Sequence, residues 1–244
     1  MMNLAEYRRT ASRLADYLPW VALVGFGVVL NKDGSFQRTA KFRGPDLDSA
    51  VAAELVAVAG RLNNAFRRLG SGWAIFVEAQ RSEAATYPAS RFPDPASALV
   101  DAERKADFEE KGSHFVSGYF LTFLWLPPAE DAARSESWLY EGRETSSVNP
   151  WELVRGFADR TDRVLALLDG FMPECRWLDD AGTLTYLHST ISINRHRVRV
   201  PETPTYLDAL LADQPLTGGL EPRLGNQHLR VLTITGFPAT TTPG

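Results

Sequence analysis

The run Asn194-Arg195-His196-Arg197-Val198-Arg199-Val200 is the stretch whose residue types and spacing speak most directly of chemistry. Side chains alternate along an extended backbone, so on a strand Arg195, Arg197 and Arg199 share one face. Guanidinium groups are always charged and carry a planar fork of donors. A row of three therefore attracts phosphate, DNA or the carboxylates of a partner. The same row also suits a solvated sheet edge, where charge blocks edge-to-edge pairing.

Other chemistries find little support. A phosphate loop needs a glycine-rich turn followed by Lys and then Ser or Thr at a helix start, and neither LGSGW (69–73) nor LTGGLEPRLG (216–225) has that order. His114, His188, His196 and His228 show no pair three to five residues apart, so no metal site is expected. Glu141, Glu144, Asp179 and Asp180 offer carboxylates, but the last two stand beside Gly182 and read as a turn with side chains bonded to backbone. No serine lies in a GxSxG elbow. The single cysteine, Cys175, excludes an internal disulfide and reads as a packing residue of a reducing compartment. The residues thus predict no catalytic, cofactor-binding or metal-binding group.

These groups must be positioned by an ordinary globular body. The 244 residues are 44% hydrophobic and 23% charged with a net charge of -4, which excludes a disordered chain and a surface that is basic throughout. The apolar run from Val21 to Leu30 is too short to span a bilayer and leads into a strand and turn rather than a cleavage site.

Leu4, Tyr7, Ala11, Leu14 and Leu18 predict a short helix stopped by Pro19. The run from Val21 to Leu30 reads as a buried strand with a bulge at its glycines. Asp33-Gly34 between alternating flanks predicts a hairpin turn. Val51, Leu55, Val58, Leu62, Phe66 and Leu69 form one stripe of a core-facing helix, capped by Asp48 or Ser49 and ended by Gly70. Strands are expected over Trp73–Arg81 and over GYFLTFLWLP (118–127), with an exposed helix over Asp94–Lys111 between them. A helix over Pro150–Phe171 with Asn149 as cap follows a polar segment. Then come a strand from Thr183 onward, a short helix over Thr205–Ala212 and a closing strand in HLRVLTITGFP. Together they predict an α+β fold with a mixed, mainly antiparallel sheet, helices packed against it, and room for two subdomains.

Five segments then carry a resemblance: DYLPW, GVVLNKDGSFQRTAKFRGPDLDS, LNNAFRRLGSGWAIFVEAQR, YFLTFLWLPP and YLDALLADQPLTGGLEPRLGNQHLRVLTITGFP. From Asp16 to Pro238 the chain resembles the amino-terminal region of the conjugal-transfer ATPases of the TrbE type, the VirB-class ATPases that power type IV secretion. The resemblance implies that family members continue into a RecA-like motor carrying the Walker motifs, ATP and magnesium, which these residues lack. It implies that residues 1–244 are a non-catalytic docking and assembly region without a cofactor of its own, with a subdivision near 129–148. It places such a region in the cytoplasm at the inner membrane. The implied partners are inner-membrane secretion subunits, with self-association of the whole ATPase as a hexamer. FLWLPP (123–128) and the arginine run are the expected contact surfaces. The alternative reading from the residues is a single-stranded nucleic-acid-binding module using Arg195, Arg197 and Arg199.

Overall fold

Glycine-bearing turns and alternating strands organise the computed structural model, which describes residues 13–84, 86–110, 112, 114–128, 150–233 and 235–236. In chain order the strands are β1 (Trp20–Gly25), β2 (Val28–Asn31), β3 (Phe36–Arg43), β4 (Trp73–Glu83), β5 (Phe115–Trp125), β6 (Glu174–Trp177), β7 (Leu216–Thr217), β8 (Arg223–Leu224) and β9 (Gln227–His228). The helices are α1 (Leu14–Tyr17), α2 (Ala52–Phe66), α3 (Pro95–Glu110), α4 (Pro150–Asp169), α5 (Asp180–Ile191) and α6 (Leu207–Leu211). The fold is α+β, and every strand pairing described below is antiparallel. The chain divides into two units, one built from Met1–Asp33 with Asp179–Gly244 and the other from Gly34–Leu178. We term them the split unit and the sheet unit. The subdivision expected near 129–148, the residues Glu141 and Glu144, the Asn149 cap and the first turns of the helix expected from Leu4 lie outside the described residues.

In the sheet unit the strand order is β6-β3-β5-β4. The aromatic run expected to be a central strand is β5, paired on both sides, with Phe36↔Trp125 on one and Trp73↔Trp125 on the other. Directly opposed residues share a face. One face therefore carries Phe36, Arg38, Ala40 and Phe42 beside Trp125, Phe123, Leu121 and Tyr119, and beside Trp73, Ile75, Val77 and Ala79. Helices α2 and α4 cover this face through Leu62, Ala65, Phe66, Val164, Leu165 and Leu168. Phe36, Trp73, Trp125 and Phe157 stack at one end of the layer with ring centroids 5.6 to 6.4 Å apart. FLWLPP is thus largely core, since Phe123 and Trp125 are buried.

Three caps bear on the expectations. Helix α2 starts at Val51 rather than at Asp48 or Ser49, because the Glu54 carboxylate accepts a hydrogen bond from the Val51 amide at 3.0 Å. It ends before Gly70, and Gly72 is the residue with positive φ, +82°. A Cβ at Gly72 would lie 2.4 Å from the Leu126 carbonyl oxygen, whose own amide donates to Gly72 O at 2.8 Å, so only glycine lets the two segments meet. Helix α3 is held as its sequence suggests, with the Asp94 carboxylate accepting from the amide and hydroxyl of Ser97.

In the split unit the run expected to be one strand is a hairpin. Gly27, at φ +62°, turns β1 back on β2 with Leu23↔Val29 in register, and the Gly27 amide donates to Asp180 Oδ1 at 2.7 Å. The strand expected from Thr183 is helix α5. Asp179 caps it by accepting from the Gly182 amide at 2.6 Å, and the hydroxyls of Thr185, Ser189 and Thr190 donate back to carbonyls three or four residues earlier. Leu184, Leu187, Leu207 and Leu211 form its apolar centre. Of the closing strand expected in HLRVLTITGFP, His228 joins Gln227 in a small sheet ordered β7-β8-β9, and among the described residues Leu229–Thr233 belong to no strand.

Candidate interaction surfaces

Among the described residues no group of three or more His, Cys, Asp or Glu is placed to hold a metal ion. Cys175 is buried in the core of the sheet unit, and burial together with the nearby Asp169 pushes its thiol up to about 11. It is a packing residue, not a nucleophile.

The split unit does gather a serine, a histidine and an aspartate. Asp213 Oδ2 accepts from Ser192 Oγ at 3.0 Å and from Asn194 Nδ2 at 2.8 Å, and buried His188 Nε2 lies 3.2 Å from the same oxygen. Nucleophilic catalysis needs the imidazole between hydroxyl and carboxylate, to take the proton from the first while being oriented by the second. Here the carboxylate stands in the middle, so the cluster is a bracket and not a triad. Burial opposes ionisation of Asp213, but the bonds from Asn194 and Ser192 and the closeness of His188 outweigh it and hold the carboxyl below its ordinary value. Sequence reading missed this bracket because His188 and Asp213 lie in separate segments and neither belongs to a motif.

The bracket positions the arginine run. Residues 194–200 belong to no strand, so the expected strand is absent. Two residues of the run meet α5. The His196 ring lies 4.5 Å from that of His188, and Val198 is buried with its amide donating to Thr185 Oγ1 at 3.0 Å. His196 and Val198 contact α5, and Arg195, Arg197 and Arg199 are all exposed. Among the described residues neither Arg197 nor Arg199 joins an ion pair.

The sheet unit offers a surface of another kind. Arg38 Nη1 donates to Asp162 Oδ1 at 2.7 Å, under the Trp177 ring and beside the Trp177 Nε1 bond to the same oxygen, which ties β3, α4 and β6 together. Burial lowers the Arg38 pKa, and Asp162 offsets part of that shift. The far end of the layer is left open. Val77 shares the helix-facing side of the sheet with Ile75, yet is 68% exposed, and Tyr119 beside it is exposed as well. Val51 and Leu55, which continue the stripe of Leu62 and Phe66 along α2, are exposed too, although their spacing predicts core. The other side of the same turns carries Ala52, Ala53, Val56, Ala57 and Gly60, all exposed, and Glu54 is the only charged residue from 51 to 60. Such an all-round apolar helix end is ordinarily covered.

Comparison with known proteins follows the same residues. Residues 27–133 match the family model described as Type IV secretion system ATPase VirB4/TrbE, N-terminal domain. The chain is 33% identical over 261 residues to "Conjugal transfer protein TrbE" of Rhizobium radiobacter, in an alignment covering 100% of this chain and 32% of that protein. Sinorhizobium fredii (strain NBRC 101917 / NGR234) holds two relatives, each described as a probable conjugal transfer protein TrbE. The first is 39% identical over 130 residues, covering 52% of this chain and 87% of that protein. The second is 38% identical over 61 residues, or 25% of this chain and 9% of that one. The chain therefore spans about a third of the length of the Rhizobium radiobacter relative. Among the described residues no helix is long and apolar enough to cross a membrane.

Proposed function

Since the chain belongs to the TrbE family of type IV secretion ATPases, we propose that it is the docking and assembly region of such an ATPase, seating it at the cytoplasmic face of the inner membrane. The observation that carries this reading is the open end of the sheet unit, where Val51, Leu55, Val77 and Tyr119 face one layer and remain uncovered. Apolar surface of this extent favours a partner, at about 25 cal/mol for each Å² removed from water. The occupant we assign is an apolar segment of an inner-membrane subunit of the secretion machine. ATP and magnesium belong to a motor outside these residues, and the chain itself hydrolyses no nucleotide.

The test uses the double substitution Leu55→Glu with Val77→Glu. Both positions are exposed, so the fold should tolerate them. Co-purification with inner-membrane secretion subunits from detergent extracts should fall at least about tenfold, the equivalent of 1.4 kcal/mol. Undiminished recovery of those subunits defeats the docking assignment. ATP turnover that co-elutes with the purified chain defeats the non-catalytic one.

A further inference from the structure

We propose that Arg195, Arg197 and Arg199 bind the phosphate backbone of a single nucleic-acid strand, with Phe26 as a stacking platform at one end of the row. This is a second surface, in the split unit, and it goes beyond docking.

Its geometry rests on how the segment runs. His196 meets His188 and Val198 meets Thr185, so the chain climbs back along α5 toward that helix's first turn. At that first turn Asp180 holds the Gly27 amide, which fixes the β1–β2 turn there with Phe26 60% exposed. The arginine row thus leads toward an exposed aromatic ring. Arginines two residues apart can stand up to about 7 Å apart along the chain, a separation like that of successive phosphates along an extended single strand. Guanidinium groups bind phosphate bidentately, and a basic track with an aromatic platform is how single strands are held without reading their sequence.

The row is also built rather than loose. Asn194 is fixed to Asp213 and the Val198 amide to Thr185, so the backbone of the row needs little ordering on binding. Three carboxylates of the split unit are already engaged. Asp179 accepts from Gly182, Asp180 from Gly27, and Asp213 from Ser192 and Asn194. Glu202 is the first acidic residue after the row. An anionic bilayer would also attract three arginines, and the vesicle arm of the experiment separates that source from a nucleic-acid strand.

The experiment measures the binding of a fluorescent oligothymidine to the whole 244-residue chain by anisotropy across a salt series. The expected result is binding at low salt with a log–log salt slope of about −2, which is what three phosphate contacts give on a single strand. Arg195→Ser, Arg197→Ser and Arg199→Ser together should abolish that slope and weaken binding at least about tenfold. Circular dichroism should report an unchanged fold, because all three residues are exposed. Phe26→Ala should weaken binding about tenfold and leave the slope as it was. The charge-matched control, Arg61→Ser with Arg67→Ser and Arg68→Ser on the sheet unit, should change neither quantity. Four results overturn the proposal. They are no binding at low salt, equal loss in the control variant, unchanged affinity in the Phe26 variant, and binding to phosphatidylglycerol vesicles in preference to the oligonucleotide.

Discussion

The sheet unit and the split unit order their chains by different means. The first buries an aromatic and aliphatic layer between a four-stranded sheet and two helices, with Phe36, Phe123 and Phe157 each at most 1% exposed. The second has shorter elements and adds polar brackets, with Asp213, Asp179 and Asp180 each fixing a turn or a segment. Apolar burial is non-directional and tolerates an open end, whereas a hydrogen-bonded bracket fixes direction. The difference matches the two surfaces. An unfinished apolar layer suits seating on a partner, and a bracketed segment suits aiming charges.

Removing the centre of each unit tests this contrast most severely. Phe157→Ala should cost the sheet unit about 3 to 5 kcal/mol, because Phe157 stacks with three other aromatic residues and leaves a cavity too large to collapse. Leu211→Ala in the split unit should cost about 2 to 5 kcal/mol. Urea denaturation followed by tryptophan fluorescence measures both. A smaller loss in the sheet unit than in the split unit would contradict the assignment of an apolar layer to the first.

Next in size is the Arg38–Asp162–Trp177 bracket of the sheet unit. Asp162→Ala leaves buried Arg38 without its carboxylate and Trp177 Nε1 without its acceptor, and should cost about 2 to 3 kcal/mol by the same measurement. Gly72→Ala should cost about 1 to 3 kcal/mol, from the positive φ and from the clash with Leu126 O.

The smallest effects are in pH, and they have opposite signs in the two units. Cys175 has its folded value raised from 9.0 to about 11, so the folded state holds the proton longer. The stability it contributes is whole below pH 9 and is lost as pH rises toward 11. Cys175→Ala should flatten the alkaline limb of a thermal-melt series. Asp213 is held below its ordinary value, so its contribution is whole above about pH 4, the unfolded value, and is lost as pH falls through the folded one. Asp213→Asn should flatten the acid limb. The contrast fails if either substitution changes the limb assigned to the other.

Much of the sheet unit is legible in the sequence. The β5 run, the α2 and α4 stripes and the Asp94-started helix can be read from residue type and period, because each pattern spans several turns or a whole strand. The split unit is harder. Thr183–Ile191 mixes Thr, Ser, Tyr and Leu, so alternation and helical spacing fit equally well until Asp179 caps the segment and the hydroxyls bond back to the helix. The run through GFG looks like one buried strand because Gly25 and Gly27 are compatible with a bulge as well as with a turn. The HLRVLTIT pattern is a good strand sequence, yet a strand needs a neighbour to pair along its length, and among the described residues Leu229–Thr233 join no strand ladder.

Local period and residue order were enough to specify the α+β class and the absence of a phosphate loop of the usual order, and the family was legible in five segments that resemble it. Which apolar residues are covered was settled only by packing. Val51, Leu55 and Leu62 lie on one stripe, yet the first two are exposed while Leu62 packs against the core. Packing also brought His188, Ser192, Asn194 and Asp213 together, because a bracket closed between segments depends on distances that no local pattern encodes.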